Sequence, residues 1–421
     1  MSLLKALVLA VAFASALFAQ NFSKGDPLFL KKLLEENRDS LLGVTDNPSK
    51  YKLQILYTQI ERDSENNPSF RTFSYRVNDT LYFYPASTVK FPAALIALEK
   101  LNEAGINGLN RNSYYVVDTP FSPTTPVKGD VTSKNGKASI AHYIKKILLV
   151  SDNDAYNRLY DFTGQKELNE RLHQKGFKSV RLNHRLSMAL DYEGNRFSNE
   201  VKFYNDSALV YVSPPKYNSD SVYNDMYGLF IGLAYIGADG VIKRPLDFTV
   251  KNYISLTDLQ KMLISVMFPA AVNPAMRFSF SESDRQFLLK YMSMYPREND
   301  YPEYRKHSWY TDNYVKFLMF GDNYPSIPGN IRIFNKVGNA YGFVIDNAYV
   351  ADFDAGIEFF LSAVIYTNED EILNDDRYEY ETVAFPFMAR LGRIIYRYEL
   401  ARERKNKPDL NEFRIDYSRP D

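Results

Sequence analysis

Strand-like alternation at the two ends of the chain, with helical spacing between them, restricts the fold more than any other feature of this sequence. From Lys52 to Arg76 apolar and polar residues alternate, with Leu53, Ile55 and Tyr57 on one face, the period of a strand. Thr80–Phe83 reads as a second strand, and strand character returns at Ile331–Lys336, Tyr341–Ile345 and Ile357–Tyr366. Between these ends, Ala94, Leu95, Leu98 and Leu101 follow helical spacing toward Gly105, with Pro92 in the first turn, where its missing N–H costs nothing. Ser139–Val150 and Ala155–Thr163, the latter closed by Gly164, are further amphipathic segments, and another spans about 378–405. The expected fold is mixed α and β. It has an antiparallel sheet built from both chain ends (about 50–83 and 331–366), flanking helices, and an inserted helical lobe over about 91–325. Residues 192–253, rich in Tyr, Asn, Asp, Ser and Gly, read as an insertion or a long decorated loop, and 295–302 and 324–329 as turns.

Composition limits the function. With 45% apolar and 24% charged residues among 421, the chain has the make-up of a soluble globular protein. Lysine plus arginine and aspartate plus glutamate both total 51, so no global field favours nucleic acid or an anionic membrane surface. Lys5 precedes an apolar run from Ala6 to Ala19, the pattern of a secretory signal peptide over residues 1–19. The alternative, a membrane anchor, needs roughly 18 or more apolar residues, and this run stops at Gln20. The expectation is a periplasmic or secreted protein without a stable membrane span after signal removal, and a single catalytic domain over 20–421. There is no cysteine for a disulfide or a thiol nucleophile. Neither an HExxH pair nor a glycine-rich phosphate loop occurs, so no metal or cofactor is expected. The histidines, His142, His173, His184 and His307, are scattered, and no GxSxG elbow supports a Ser–His–Asp triad.

Ser87-Thr88-Val89-Lys90 opens the first helix, and three residues is nearly one turn, so both side chains face the same way. A serine hydroxyl needs a base, and a lysine whose pKa is lowered by burial can serve, with the positive helix end stabilising the alkoxide. The spacing alone is weak, since Ser2–Lys5 and Ser213–Lys216 repeat it. Two further elements carry similar ambiguity. Ser151-Asp152-Asn153 sits between two helices, where such a tripeptide is ordinarily a cap. Lys336-Val337-Gly338 ends a strand, where a lysine is ordinarily solvated.

Taken in order, the three elements resemble the motif set of class A β-lactamases and penicillin-binding proteins, the penicillin-recognising (β-lactamase/transpeptidase-like) superfamily. The resemblance extends to Tyr84–Pro92 around the serine, and to Leu148–Asn157 with Gly164. It covers Lys52 to about Arg185 and Ile331–Tyr366, and is faint between them. It implies that Ser87 attacks a carbonyl to form an acyl-enzyme, with Lys90 taking its proton. Ser151 would relay a proton to the leaving group, Asn153 would bind the substrate amide and Lys90, and Lys336 would supply positive charge. The backbone N–H groups of Ser87 and Asn339 would form the oxyanion hole, with Gly338 leaving the strand edge open. The implied substrate is a small molecule or peptide, a β-lactam or cell-wall peptide. The function expected is an exported serine hydrolase acting on an amide or ester. Two alternatives are a D,D-carboxypeptidase or transpeptidase and a sensor with little turnover.

Two departures bear on substrate and release. Val337 stands where the family carries Thr or Ser, whose hydroxyl binds the substrate carboxylate. The deacylating glutamate of class A enzymes, counted from Asn153, falls on Ser187, within Arg181–Ser187. The nearest carboxylates are Asp191 and Glu193.

Overall fold

The computed structural model describes residues 21–322 and 326–418. The expected signal segment lies outside them, as does part of the 324–329 turn. The principal sheet has six strands: β1 (Phe22–Lys24), β2 (Gln54–Arg62), β3 (Pro68–Tyr75), β4 (Ile331–Ala340), β5 (Phe343–Asp352) and β6 (Ile357–Tyr366), in the order β1-β3-β2-β6-β5-β4. Every pairing is antiparallel except that of β1 with β3, so the wholly antiparallel sheet expected from sequence gains one short parallel edge. Residues 52–76 form a hairpin rather than one strand. Asp63 turns the chain by accepting hydrogen bonds from the Glu65 and Asn67 amides through Oδ1. Thr80–Phe83 is not a strand, and only Leu81 makes an isolated bridge, to Tyr227.

Both faces of the sheet are covered, which explains the near-continuous apolar runs of β5 and β6. Leu56, Phe334, Ile345, Phe360 and Val364 face one core, packed on α2 (Lys90–Glu103), α3 (Ile140–Val150), α4 (Asn153–Thr163) and two later helices, 256–267 and 282–293. Ile55, Tyr57, Ile333, Val337, Val344 and Leu361 face the other, packed on α1 (Phe29–Glu36) and the C-terminal helix (Phe385–Ala401). The period of two thus sorts neighbours to opposite layers. It sends Lys336 and Gly338 toward the helical lobe and Val337 away from it.

The 192–253 region is not a decorated loop. Strand Val201–Asn205 pairs with Tyr114–Val116 on one side and Ala208–Ser213 on the other, and strand Ala234–Gly237 of the hairpin Ala234–Gly237/Gly240–Ile242 pairs with Ile372–Leu373 in parallel. Asp206-Ser207 and Ala238-Asp239 turn its two hairpins, and irregular segments join its other short strands, which is why its composition resembles a loop. Among the described residues no helix is long and apolar enough to cross a membrane.

Candidate active site

The chain reaches Ser87 through a tight turn. Ala86–Val89 is a 3₁₀ segment that continues into α2, so Ser87 and Lys90 stand on one face. Thr88 fixes the entry by donating from both its amide and its hydroxyl to the Pro85 carbonyl. On the other side, α3 ends with Ser151 in the left-handed conformation (φ 60°, ψ 40°), its N–H bonded to Ile147. Asp152 then caps α4 by accepting from the Ala155 amide at 2.8 Å. The Ser-Asp-Asn tripeptide is therefore a double cap, and that capping aims the Ser151 carbonyl, the Ser151 hydroxyl and the Asn153 amide oxygen at one point.

Lys90 Nζ occupies that point. It lies 2.9 Å from Ser87 Oγ, 2.6 Å from Asn153 Oδ1 and 3.3 Å from Ser151 Oγ, and it also donates to the Ser151 carbonyl. The side chain is fully buried. Desolvation lowers its pKa to about 7, against a smaller opposing pull from Asp152. Lys336 Nζ donates to Ser151 Oγ at 2.8 Å and to the Val337 carbonyl at 2.7 Å. Burial pushes Lys336 well below the ordinary lysine range, and neighbouring Lys90 adds to that. Ser151 Oγ thus bridges two buried lysines.

Gly338 is pressed against the nucleophile turn. A Cβ there would sit 2.7 Å from Ser87 N, 2.9 Å from the Pro85 carbonyl oxygen and 2.9 Å from Thr88 N, all backbone atoms that cannot swing aside. The strand continues past Lys336 to Ala340, beyond the expected end, and its outer edge is unpaired in the sheet. Asn339 is exposed beside Ser87. All seven residues singled out from sequence, Ser87, Lys90, Ser151, Asn153, Lys336, Gly338 and Asn339, gather around one cleft.

Ser187 also lies in the cleft, where its hydroxyl accepts from Asn153 Nδ2 at 2.7 Å. Asp191 and Glu193 are engaged elsewhere, Asp191 accepting from the Gly194 amide and Glu193 from Arg196. No histidine lines the cleft. His184 stacks on Tyr84 with ring planes 3° apart, and desolvation lowers it to about 3. Among the described residues no group of three or more His, Asp or Glu side chains is placed to hold a metal.

Six non-glycine residues lining the cleft adopt left-handed backbone: Ala86 (φ 48°), Ser151 (60°), Ser187 (50°), Tyr341 (52°), Asn374 (64°) and Asp376 (60°). Each such residue costs about 1–3 kcal/mol, and strain of this kind collects where side chains must be aimed. Tyr341 and Gly342 form the two-residue turn between β4 and β5. The strand expected over 341–345 therefore starts two residues later, and its first residue becomes part of the cleft wall. Sequence reasoning missed Tyr341, Tyr378, Tyr380, Asp376 and Glu381, which come from the hairpin tip and from the loop and π-helical turn that lead into the C-terminal helix. The only local signal was the Tyr-Gly pair between two strands.

A serine at a helix start, backed by a buried lysine and opposed by a sheet edge, is the geometry expected of a serine hydrolase. The model of the β-lactamase enzyme family matches residues 34–277, and the chain belongs to that family. It is a β-lactamase-like serine hydrolase with the β-lactamase/transpeptidase fold. Among solved structures, PBP-A is 16% identical, over 88% of this chain and 96% of that one, with a TM-score of 0.48. The ancestral (GNCA) class A β-lactamase is 13% identical over 87% and 99%, TM-score 0.45. A β-lactamase from Desulfarculus baarsii is 13% identical over 86% and 97%, TM-score 0.46. No curated protein matches the chain.

Proposed function

We propose that this protein is an exported serine hydrolase whose chain beyond residue 19 serves as one catalytic domain, and that it opens an amide or ester by acyl transfer through Ser87. The observation that carries this reading is the buried Lys90 ammonium nitrogen, 2.9 Å from Ser87 Oγ and lowered to about 7. Near neutral pH a large share of Lys90 is uncharged and can take the serine proton as Oγ attacks the carbonyl. The oxyanion would be held by the N–H groups of Ser87 and Asn339. Ser151, hydrogen-bonded to both Lys90 and Lys336, is placed to hand a proton to the departing nitrogen or oxygen. The product of this half-reaction is an ester on Ser87, which water or an amine must then cleave. Asn153, tied to Lys90 and Ser187, would hold the substrate's amide. Export rests on the apolar run Ala6–Ala19.

A second reading is favoured by one observation. Ser187, which has no carboxylate, occupies the place beside Asn153, and Asp191 and Glu193 are bonded elsewhere. The acyl-enzyme would then be long-lived, as suits a transpeptidase-like or sensor role. Intact-mass analysis after incubation with a fluorophosphonate and with a fluorescent penicillin, in wild type and Ser87→Ala, tests both. The expected result is fluorophosphonate labelling that disappears in Ser87→Ala. Labelling that survives the substitution overturns the mechanism. A persistent penicillin adduct on Ser87 favours the slow-turnover reading, and rapid penicillin hydrolysis favours a β-lactamase.

A further inference from the structure

The walls of the cleft carry charge of only one sign. Ser87 sits where two chambers meet, each of about 460 Å³, within the range for small-molecule sites. Asp376 lines the first and Glu381 the second. Both carboxylates are exposed, and neither makes a hydrogen bond or ion pair among the described residues. No lysine, arginine or histidine among the described residues lines either chamber. Arg377, next in sequence to Asp376, is exposed and outside both. The site's own lysines, Lys90 and Lys336, lie buried beneath the serine with their nitrogens bonded to protein oxygens. Where the resembled family carries a carboxylate-binding hydroxyl, Val337 offers none.

The first chamber is also aromatic. Tyr378 and Tyr380 have ring centres 5.2 Å apart, and Tyr341 meets Tyr84 edge-on at 4.9 Å. Two of the rings are held from the backbone: the Tyr378 hydroxyl accepts the Asn374 N–H at 2.8 Å, and the Tyr380 hydroxyl accepts the Gly342 N–H at 2.9 Å. Asp376 is close enough to bear electrostatically on both Tyr378 and Tyr380. The loop is held in turn by the parallel pairing of Ala234–Tyr235 with Ile372–Leu373, so the 192–253 segment buttresses this wall. Fixed aromatic faces beside an unpaired carboxylate attract an ammonium group and repel an anion.

We propose that the tyrosine chamber with Asp376 receives a positively charged amine, so that this hydrolase takes cationic esters or amides in preference to carboxylate-bearing ones. The inference rests on Ser87 being the nucleophile, and the test separates the two. Three p-nitrophenyl phosphonates matched in size, ending in trimethylammonium, tert-butyl or carboxylate, would be reacted with the protein. Ser87 Oγ bonds phosphorus, p-nitrophenolate leaves with its electron pair, and the serine proton passes to Lys90. Second-order labelling rates come from nitrophenolate release, with intact mass confirming the adduct.

The expected order is cation over neutral over anion, with the cation roughly tenfold ahead of the neutral probe. Asp376→Asn, chosen because Asn tolerates the left-handed φ of 60° found there, should shrink the cation-to-neutral ratio several-fold, and 1 M salt should shrink it in wild type. Equal rates for the three probes, an anion preference, or a ratio unmoved by Asp376→Asn overturns the proposal while leaving Ser87 as nucleophile. Absence of Ser87 labelling by every probe overturns both.

Discussion

The floor and the walls of this cleft obey different rules. On the floor, Lys90, Lys336 and Gly338 are buried, and each is held by several contacts that leave little choice of residue. Lys90 Nζ has four oxygen neighbours, and Gly338 has no room for a Cβ. On the walls, Ser187, Asp376 and Glu381 are exposed, and Val337 and Ser187 depart from the pattern the motifs resemble. On the proposed function the floor positions a nucleophile and its base, whereas the walls meet whatever surrounds the scissile bond. On that reading the difference teaches that acylation chemistry can be kept while recognition and release are rewritten around it.

The largest effects should come from the floor. Lys90→Met removes the proposed base without changing side-chain volume much, and Ser87 labelling by a fluorophosphonate should fall at least about 10³-fold while the protein remains folded by circular dichroism. On the proposed mechanism the neutral lysine is the active form. The labelling rate should therefore rise with pH through about 7 and level off above it. A flat profile from pH 5 to 9 would separate Lys90 from proton transfer. Gly338→Ala comes next. Its Cβ must displace the Ser87 and Thr88 amides, so a loss of about 10²–10³ in labelling rate is expected. Forcing the two backbones apart should also lower stability by about 1–3 kcal/mol in urea denaturation. If Gly338→Ala labels normally, the sheet edge does not set the oxyanion geometry.

The same contrast governs what could be read without coordinates. Ser87 and Lys90, and the Ser151–Asn153 tripeptide, were legible because local rules orient them: one helical turn in the first case, and the end of one helix followed by the cap of the next in the second. Lys336 and Gly338 were legible only because Lys336-Val337-Gly338 resembles a family motif, since the expected strand ended at Lys336, whereas the strand in fact runs on to Ala340 and puts both on one face. The sheet strands at both ends were legible from their alternation, although the Asp63 turn split the first and the Tyr341–Gly342 turn trimmed another. Tyr341, Tyr378 and Asp376 were not legible. They reach the cleft through left-handed backbone and through the pairing of residues 234–235 with 372–373, contacts between segments far apart in the chain that no local period encodes. Short hairpins also hid within the 192–253 region, because several of its strands are only two to four residues long and irregular segments separate them.

Substitutions in the walls should act on release and selectivity, with smaller effects. Ser187→Glu puts a carboxylate beside Asn153 in place of the serine hydroxyl, and general-base assistance to water is worth about 10²-fold or more. Acyl-enzyme lifetime, followed by intact mass after acylation with an activated ester, should shorten by about that factor. The rate of acylation should change little by comparison. A lifetime unaffected by Ser187→Glu would mean that water does not reach the ester from that side.

Val337→Thr should have the smallest effect, and it tests most directly whether the walls choose the substrate. Val337 is buried toward the C-terminal helix but lines the second chamber with Ser87, so a threonine hydroxyl there can reach the cleft. A hydrogen bond to a charged group contributes about 1.5–3 kcal/mol. Val337→Thr should therefore raise the labelling rate of a carboxylate-bearing phosphonate about tenfold relative to its neutral match. The gain should be partly offset by Asp376 and Glu381, whose charges remain, so combining Val337→Thr with Asp376→Asn should exceed Val337→Thr alone. If Val337→Thr instead slows all probes alike, the valine supports the floor by packing, and the division between floor and walls has been drawn on the wrong side of residue 337.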